Sequence, residues 1–140
     1  MGAKIQFLTA GSIVAVGAHN FNGGNISVFK EGNNTAITTV SVVGTGSTST
    51  TPNYKYTTLS SPISVAANST YQIIFKNSNG GYAYHNISAF DNTNTSSGNM
   101  KLRGFGYFNH SGTLPTTPIR PTNNTTSQGF GATDLIFLAS

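Results

Sequence analysis

Apolar and polar residues alternate with a period of two along most of this chain. Ile5 and Phe7 alternate in KIQFLT, Val14 and Val16 in SIVAVGA, and Ile26 and Val28 in NISVFK, while Thr38, Val40 and Val42 share one face of AITTVSVV. Tyr54 and Tyr56 follow in NYKYTT, and Ile63 and Val65 form a short strand after Pro62. Tyr71, Ile73 and Phe75 then alternate with Gln72, Ile74 and Lys76. Tyr82 and Tyr84 come after a Gly-Gly turn, and residues 101–107 and 134–138 complete the set. Alternation over four to eight residues is the mark of a half-buried strand, because successive side chains of a strand point to opposite faces.

The breaks between these runs agree with that reading. Asn22-Gly23-Gly24, Glu31-Gly32-Asn33, Asn79-Gly80-Gly81 and Ser97-Gly98 separate them. Glycine reaches positive φ without steric cost, and asparagine tolerates the same region and closes local turns. No window carries the 3.6-residue apolar period of a helix. About nine or ten short strands with regular turns predict an all-β fold, a two-sheet antiparallel β-sandwich of jelly-roll type. Residues 45–52 (TGSTSTTP) and the Pro/Thr/Asn-rich residues 113–128 are expected to be loops, the second either functional or packed on a neighbour. The 140 residues fit a single domain spanning 1–140.

Composition narrows the chemistry. Only 7% of the residues are charged, and Asn, Ser, Thr and Gly supply about half the chain. An ordinary soluble domain carries about 25% charged residues. Cysteine is absent, which excludes thiolate zinc sites and disulfide staples. The net charge of +4 reflects few acids more than many bases, and the seven Lys and Arg residues are scattered. No basic stripe suits phosphates, so nucleic acid is not an expected partner. No segment approaches the roughly 18 apolar residues of a membrane-spanning helix, and no membrane insertion is expected.

The first residues do not read as a signal peptide, since Gln6, Thr9, Gly11 and Ser12 interrupt the apolar run. Virion proteins reach the outside by lysis and need no such signal. Glu31, Asp91 and Asp134 are the only carboxylates, and paired-acid glycosidase chemistry needs two of them about 5–9.5 Å apart. No catalytic residue is therefore expected. No cofactor is expected either. His19, His85 and His110 each neighbour an Asn and lack a second ligand at metal spacing. Asp91 opens the oxygen-rich run DNTNT, a weak metal candidate because calcium wants several carboxylates.

Two aromatic groupings remain. Tyr82, Tyr84 and His85 lie close together in sequence, as do Phe105, Tyr107 and Phe108, and Tyr54 and Tyr56 are further platform candidates. Such rings either fill the sandwich core and pair across strands, or form an exposed platform for the apolar faces of sugars.

The segment LSSPISVAANSTYQII (residues 59–74), the run Gly81-Tyr82-Ala83, and Pro115 with the terminal ATDLIF (residues 132–137) resemble the bacterial surface modules grouped as domain of unknown function 4082. VGAHNFNGGNISVFKEGNNTAITTVSVVG corresponds to that family's opening hairpins. The resemblance implies a β-sandwich without catalytic residues, in secreted and surface proteins that often stand beside glycan-active domains. The family's Trp before the Pro strand is missing here, and Tyr54 and Tyr56 occupy that stretch. The expected single sandwich, without an export signal and with few charges, gives the expectation of a non-enzymatic structural module of a virion (capsid decoration, tail or fibre) or of another extracellular assembly. It would associate with itself or with other subunits. The alternative is a secreted carbohydrate-binding or adhesin module.

Overall fold

The computed structural model describes residues 1–18, 23–44, 54–77, 84–86, 98–108, 115–126, 128–130 and 133–140. Among them the chain forms eleven strands: β1 (Gly2–Phe7), β2 (Gly11–Ala18), β3 (Gly24–Lys30), β4 (Thr38–Val42), β5 (Lys55–Val65), β6 (Thr70–Asn77), β7 (Tyr84–Asn86), β8 (Met100–Tyr107), β9 (Asn123–Thr125), β10 (Gln128–Phe130) and β11 (Thr133–Ala139). A six-stranded sheet runs β4-β3-β6-β1-β8-β9, and a three-stranded sheet runs β11-β2-β5. Strands β10 and β7 form a separate two-stranded ladder. Every pairing is antiparallel. The chain crosses between the two larger sheets after β1, β2, β4 and β5, as in a jelly roll, so the predicted sandwich is the observed fold.

The core lies between those sheets. The six-stranded sheet contributes Phe7, Ile26, Val28, Tyr71, Ile73 and Phe75, and the three-stranded sheet contributes Ile13, Val16, Leu59, Ile63, Val65 and Leu135. Phe7 meets Tyr71 edge to face at 5.5 Å and Phe137 at 4.8 Å, joining one sheet to the other. Thr133 makes a second link. Its hydroxyl accepts from the Ala3 N–H at 3.0 Å and donates to the Ile73 carbonyl at 2.9 Å, two residues paired across the β1–β6 ladder. Along one side of the sandwich, the Thr57 hydroxyl donates to the Ser41 carbonyl at 3.1 Å and ties β5 to β4.

Three expectations change. Val14 does not share a face with Val16, because a bulge in β2 between Ile13 and Ala15 shifts the register against β5. Ile13 and Val16 are fully buried instead, and Val14 is half-buried. Ile63 and Val65 are not a separate strand but the end of β5, which continues through Pro62. Proline is tolerated there because β5 is an edge strand of its sheet. Residues 113–128 are not wholly loop, since they contain β9 and the first residue of β10. Residues 45–52 lie outside the described residues.

The outer face of the six-stranded sheet shows a departure from simple alternation. In β3 and β6, the residues facing away from the core are buried too: Ser27, Phe29, Gln72 and Ile74. Residues 115–121 cross this outer face as a strap. The Lys76 ammonium donates to the Pro115 carbonyl, and the Arg120 Nε donates to Asn34 Oδ1 at 3.2 Å. Pro121 is fully buried against Gly106, where a Cβ would stand 3.1 Å from the proline ring and 3.1 Å from Gln72 Oε1. Gln72 Oε1 is buried and has no hydrogen-bond partner among the described residues.

Glu31 organises the polar groups beside the strap. Its carboxylate accepts from Lys4 Nζ at 2.9 Å and from Gln72 Nε2 at 2.8 Å, with Arg120 at 3.9 Å. Burial opposes ionisation, but the Lys4 and Gln72 hydrogen bonds and the Lys4 and Arg120 charges outweigh it, so the carboxyl pKa falls below its ordinary 4.5. The unfolded chain therefore takes up this proton first as the solution is acidified. The stability Glu31 provides is present above pH 4.5 and is lost as pH falls through the folded-state value. Urea midpoints measured against pH will show a Glu31→Gln variant below wild type at neutral pH, with the gap closing in acid. A gap independent of pH would contradict this network.

Candidate functional site

The outward face of the three-stranded sheet carries Tyr54 and Tyr56, whereas Phe105 and Tyr107 lie in β8 of the other large sheet and Phe108 follows it. Strand register builds a row across all three strands: Tyr56 on β5 pairs with Gly17 on β2, and Gly17 pairs with Asp134 on β11. The Tyr56 ring lies over Gly17, whose missing side chain makes room for it. A Cβ there would stand 2.6 Å from the ring and 2.7 Å from the Lys55 carbonyl. The phenol thus reaches the far strand and donates to Asp134 Oδ2 at 2.5 Å. The other carboxylate oxygen, Oδ1, accepts from the Leu135 N–H at 2.8 Å.

Tyr54 stands two residues before Tyr56 and on the same side, with ring centroids 6.4 Å apart and planes inclined by 26°. The two residues are 40% and 43% exposed, so both stand at the surface. Alternation places Thr58 and Ser60, both exposed, on this same side of β5, and Lys55 on the other. Burial of its ring and the adjoining Asp134 hydrogen bond and charge, with a smaller contribution from Tyr54, push the Tyr56 phenol up to about 12. Burial and the Asp134 charge also raise that of Tyr54. Both hydroxyls are protonated and uncharged at neutral pH.

The opposite end of the same face is aliphatic. Ile136 and Leu138 are 43% and 58% exposed. A shallow depression lined by Gly11, Ser12, Val14, Pro62, Ser64 and Leu138 lies beside them.

The remaining candidates are not brought together here. Glu31 sits on the outer side of the six-stranded sheet and Asp134 on the outer side of the three-stranded one, so these two carboxylates do not form a catalytic pair. The backbone of Tyr84 and His85 lies in β7, paired with Phe130 and Gly129. Tyr82, Asp91, His19 and His110 lie outside the described residues. Among the described residues, no three His, Asp or Glu side chains converge as metal ligands. No helix of the described residues is long and apolar enough to cross a membrane.

Sequence reasoning named Tyr54 and Tyr56 but missed Gly17 and the role of Asp134. Asp134 lies 78 residues from Tyr56, and only the register across β2 joins them. No family model matches the chain, and no curated protein or solved structure is significantly similar to it.

Proposed function

We propose that this chain is a non-catalytic surface module, one copy among many in a virion or other extracellular assembly, meeting further copies through the aliphatic end of the three-stranded sheet. The observation that carries this reading is the contrast between the two outer faces. Phe29 and Ile74 on the outer side of the six-stranded sheet are buried within the chain itself, whereas Ile136 and Leu138 on the three-stranded sheet face outward. Large exposed apolar groups side by side favour burial against a partner. With only 7% of its residues charged, the chain has few charged side chains to desolvate or oppose where copies meet.

Sedimentation of the purified protein over a wide concentration range tests the reading. The mass should rise above the 14.6 kDa of one chain. Ile136→Glu and Leu138→Glu together should return it to the monomer, because each places a charge where the contact must be dry. A monomer at every concentration, or association that ignores both substitutions, would refute it.

A further inference from the structure

The aromatic end of the same face has a different chemistry, and we infer that Tyr54, Tyr56 and Asp134 form a binding subsite for a neutral saccharide ring, an inference that goes beyond the assembly reading. A pyranose has one face of C–H groups and a rim of hydroxyls. The π-face of a tyrosine is electron-rich and attracts the polarised C–H face, while the rim needs hydrogen-bond partners. Both are present here. The two rings are exposed and inclined to each other by 26°. Asp134 stands at the edge of Tyr56, and Thr58 and Ser60 continue the ring-bearing side of β5 with hydroxyls.

The arrangement is also rigid before any ligand arrives. Tyr56 is held at its hydroxyl by Asp134 and rests on the bare backbone of Gly17. A ring already fixed in place loses little freedom on binding, so more of the stacking energy is realised as affinity. Asp134 takes one hydrogen bond on each oxygen, from Tyr56 and from the Leu135 N–H, and a carboxylate has about four lone-pair sites in all. Capacity therefore remains to accept from sugar hydroxyls.

Charge sets the class of sugar. Among the described residues, Asp134 provides the charge on the ring side of this row, and Lys55 alternates to the other side of the strand. Among the described residues, a uronate or a phosphodiester would meet a carboxylate with no cation on the same side of the sheet, which disfavours acidic glycans and nucleic acid. A proline-rich peptide would stack on the rings but would leave Asp134, Thr58 and Ser60 without the hydroxyl partners a sugar brings.

Affinity electrophoresis of the intact protein through gels containing laminarin, galactomannan, soluble chitosan or polygalacturonate, with a proline-rich peptide titrated in parallel, tests this assignment. At least one of the two uncharged glycans, laminarin or galactomannan, should retard the protein. Tyr54→Ala and Tyr56→Ala should each weaken that binding by about tenfold. Asp134→Asn, which keeps the shape but not the charge-assisted bond to Tyr56, should weaken it by a smaller factor. All three variants should keep the wild-type far-ultraviolet spectrum and self-associate as wild type does, because the aliphatic end is untouched. No retardation by either uncharged glycan would overturn the assignment, as would tighter binding of polygalacturonate, chitosan or the peptide, or retention that survives loss of both tyrosines. Failure of the assembly reading would show instead in the sedimented mass and in the Ile136 and Leu138 variants.

Discussion

A Phe7→Ala variant is expected to unfold about 3–5 kcal/mol more easily than wild type. Phe7 is fully buried at the end of β1, its ring set edge-on to Tyr71 and inclined against Phe137 of β11. Truncation removes the transfer energy of a phenyl ring and both aromatic contacts. It also leaves a cavity between two sheets whose backbones are fixed by their ladders, so the walls relax only in part. A domain of this size has a total stability of roughly 5–15 kcal/mol. The substitution therefore consumes a large share of it and should lower the melting temperature by roughly 10–20 °C. Phe7→Leu keeps most of the volume and should cost about 1.5 kcal/mol. Urea denaturation of the three proteins measures both differences. A loss for Phe7→Ala of under about 1 kcal/mol would mean that the sheets do not meet at this ring.

Thr133→Val carries the second large effect, for a reason that shape alone would not suggest. Valine matches threonine in size but lacks the hydroxyl that joins Ala3 N–H to Ile73 C=O. Ala3 and Ile73 are buried, so water cannot replace that hydroxyl. A buried group left unmet costs about 1–3 kcal/mol, and with two groups affected the expected loss is roughly 2–4 kcal/mol. Thr133→Ser retains the hydroxyl and should fall within about 1 kcal/mol of wild type. Amide hydrogen exchange gives a local reading, with protection at Ala3 lost in the valine variant and kept in the serine one. Equal stability of the valine and serine variants would remove Thr133 from the link between the sheets.

Local alternation made the inner residues of the sheets legible. Ile26 and Val28, and Tyr71, Ile73 and Phe75, lie inside as their spacing predicts. Alternation fails in β2 because a bulge adds a residue, and nothing in SIVAVGA distinguishes a bulged strand from a regular one. It also fails to foresee the burial of Gln72 and Ser27. Their polar character predicts an exposed face, but Gln72 lies beside Pro121 of a Pro-rich segment more than 40 residues away in sequence, and the Ser27 hydroxyl pairs with that of Thr39 at 2.8 Å on the neighbouring strand. The candidate site divides in the same way. Tyr54 and Tyr56 are visible as a pair from their spacing along one strand. Their exposure depends on which face of the three-stranded sheet they occupy, and their carboxylate partner comes from the far end of the chain through two registers. Spacing within a strand can be read from a single sequence, whereas pairing between strands cannot.

The strap over the six-stranded sheet has a geometric consequence for any larger structure. A slab with both broad sides available can be stacked without limit, each copy sandwiched between two others. Here residues 115–121 lie across part of one side, at Lys76, Gln72 and Gly106, and a neighbour could reach that part of the sheet only by displacing residues of the chain itself. In the assembly proposed above the strapped side is the poorer contact, so copies joined through their three-stranded sheets would tile a boundary as facing stones do.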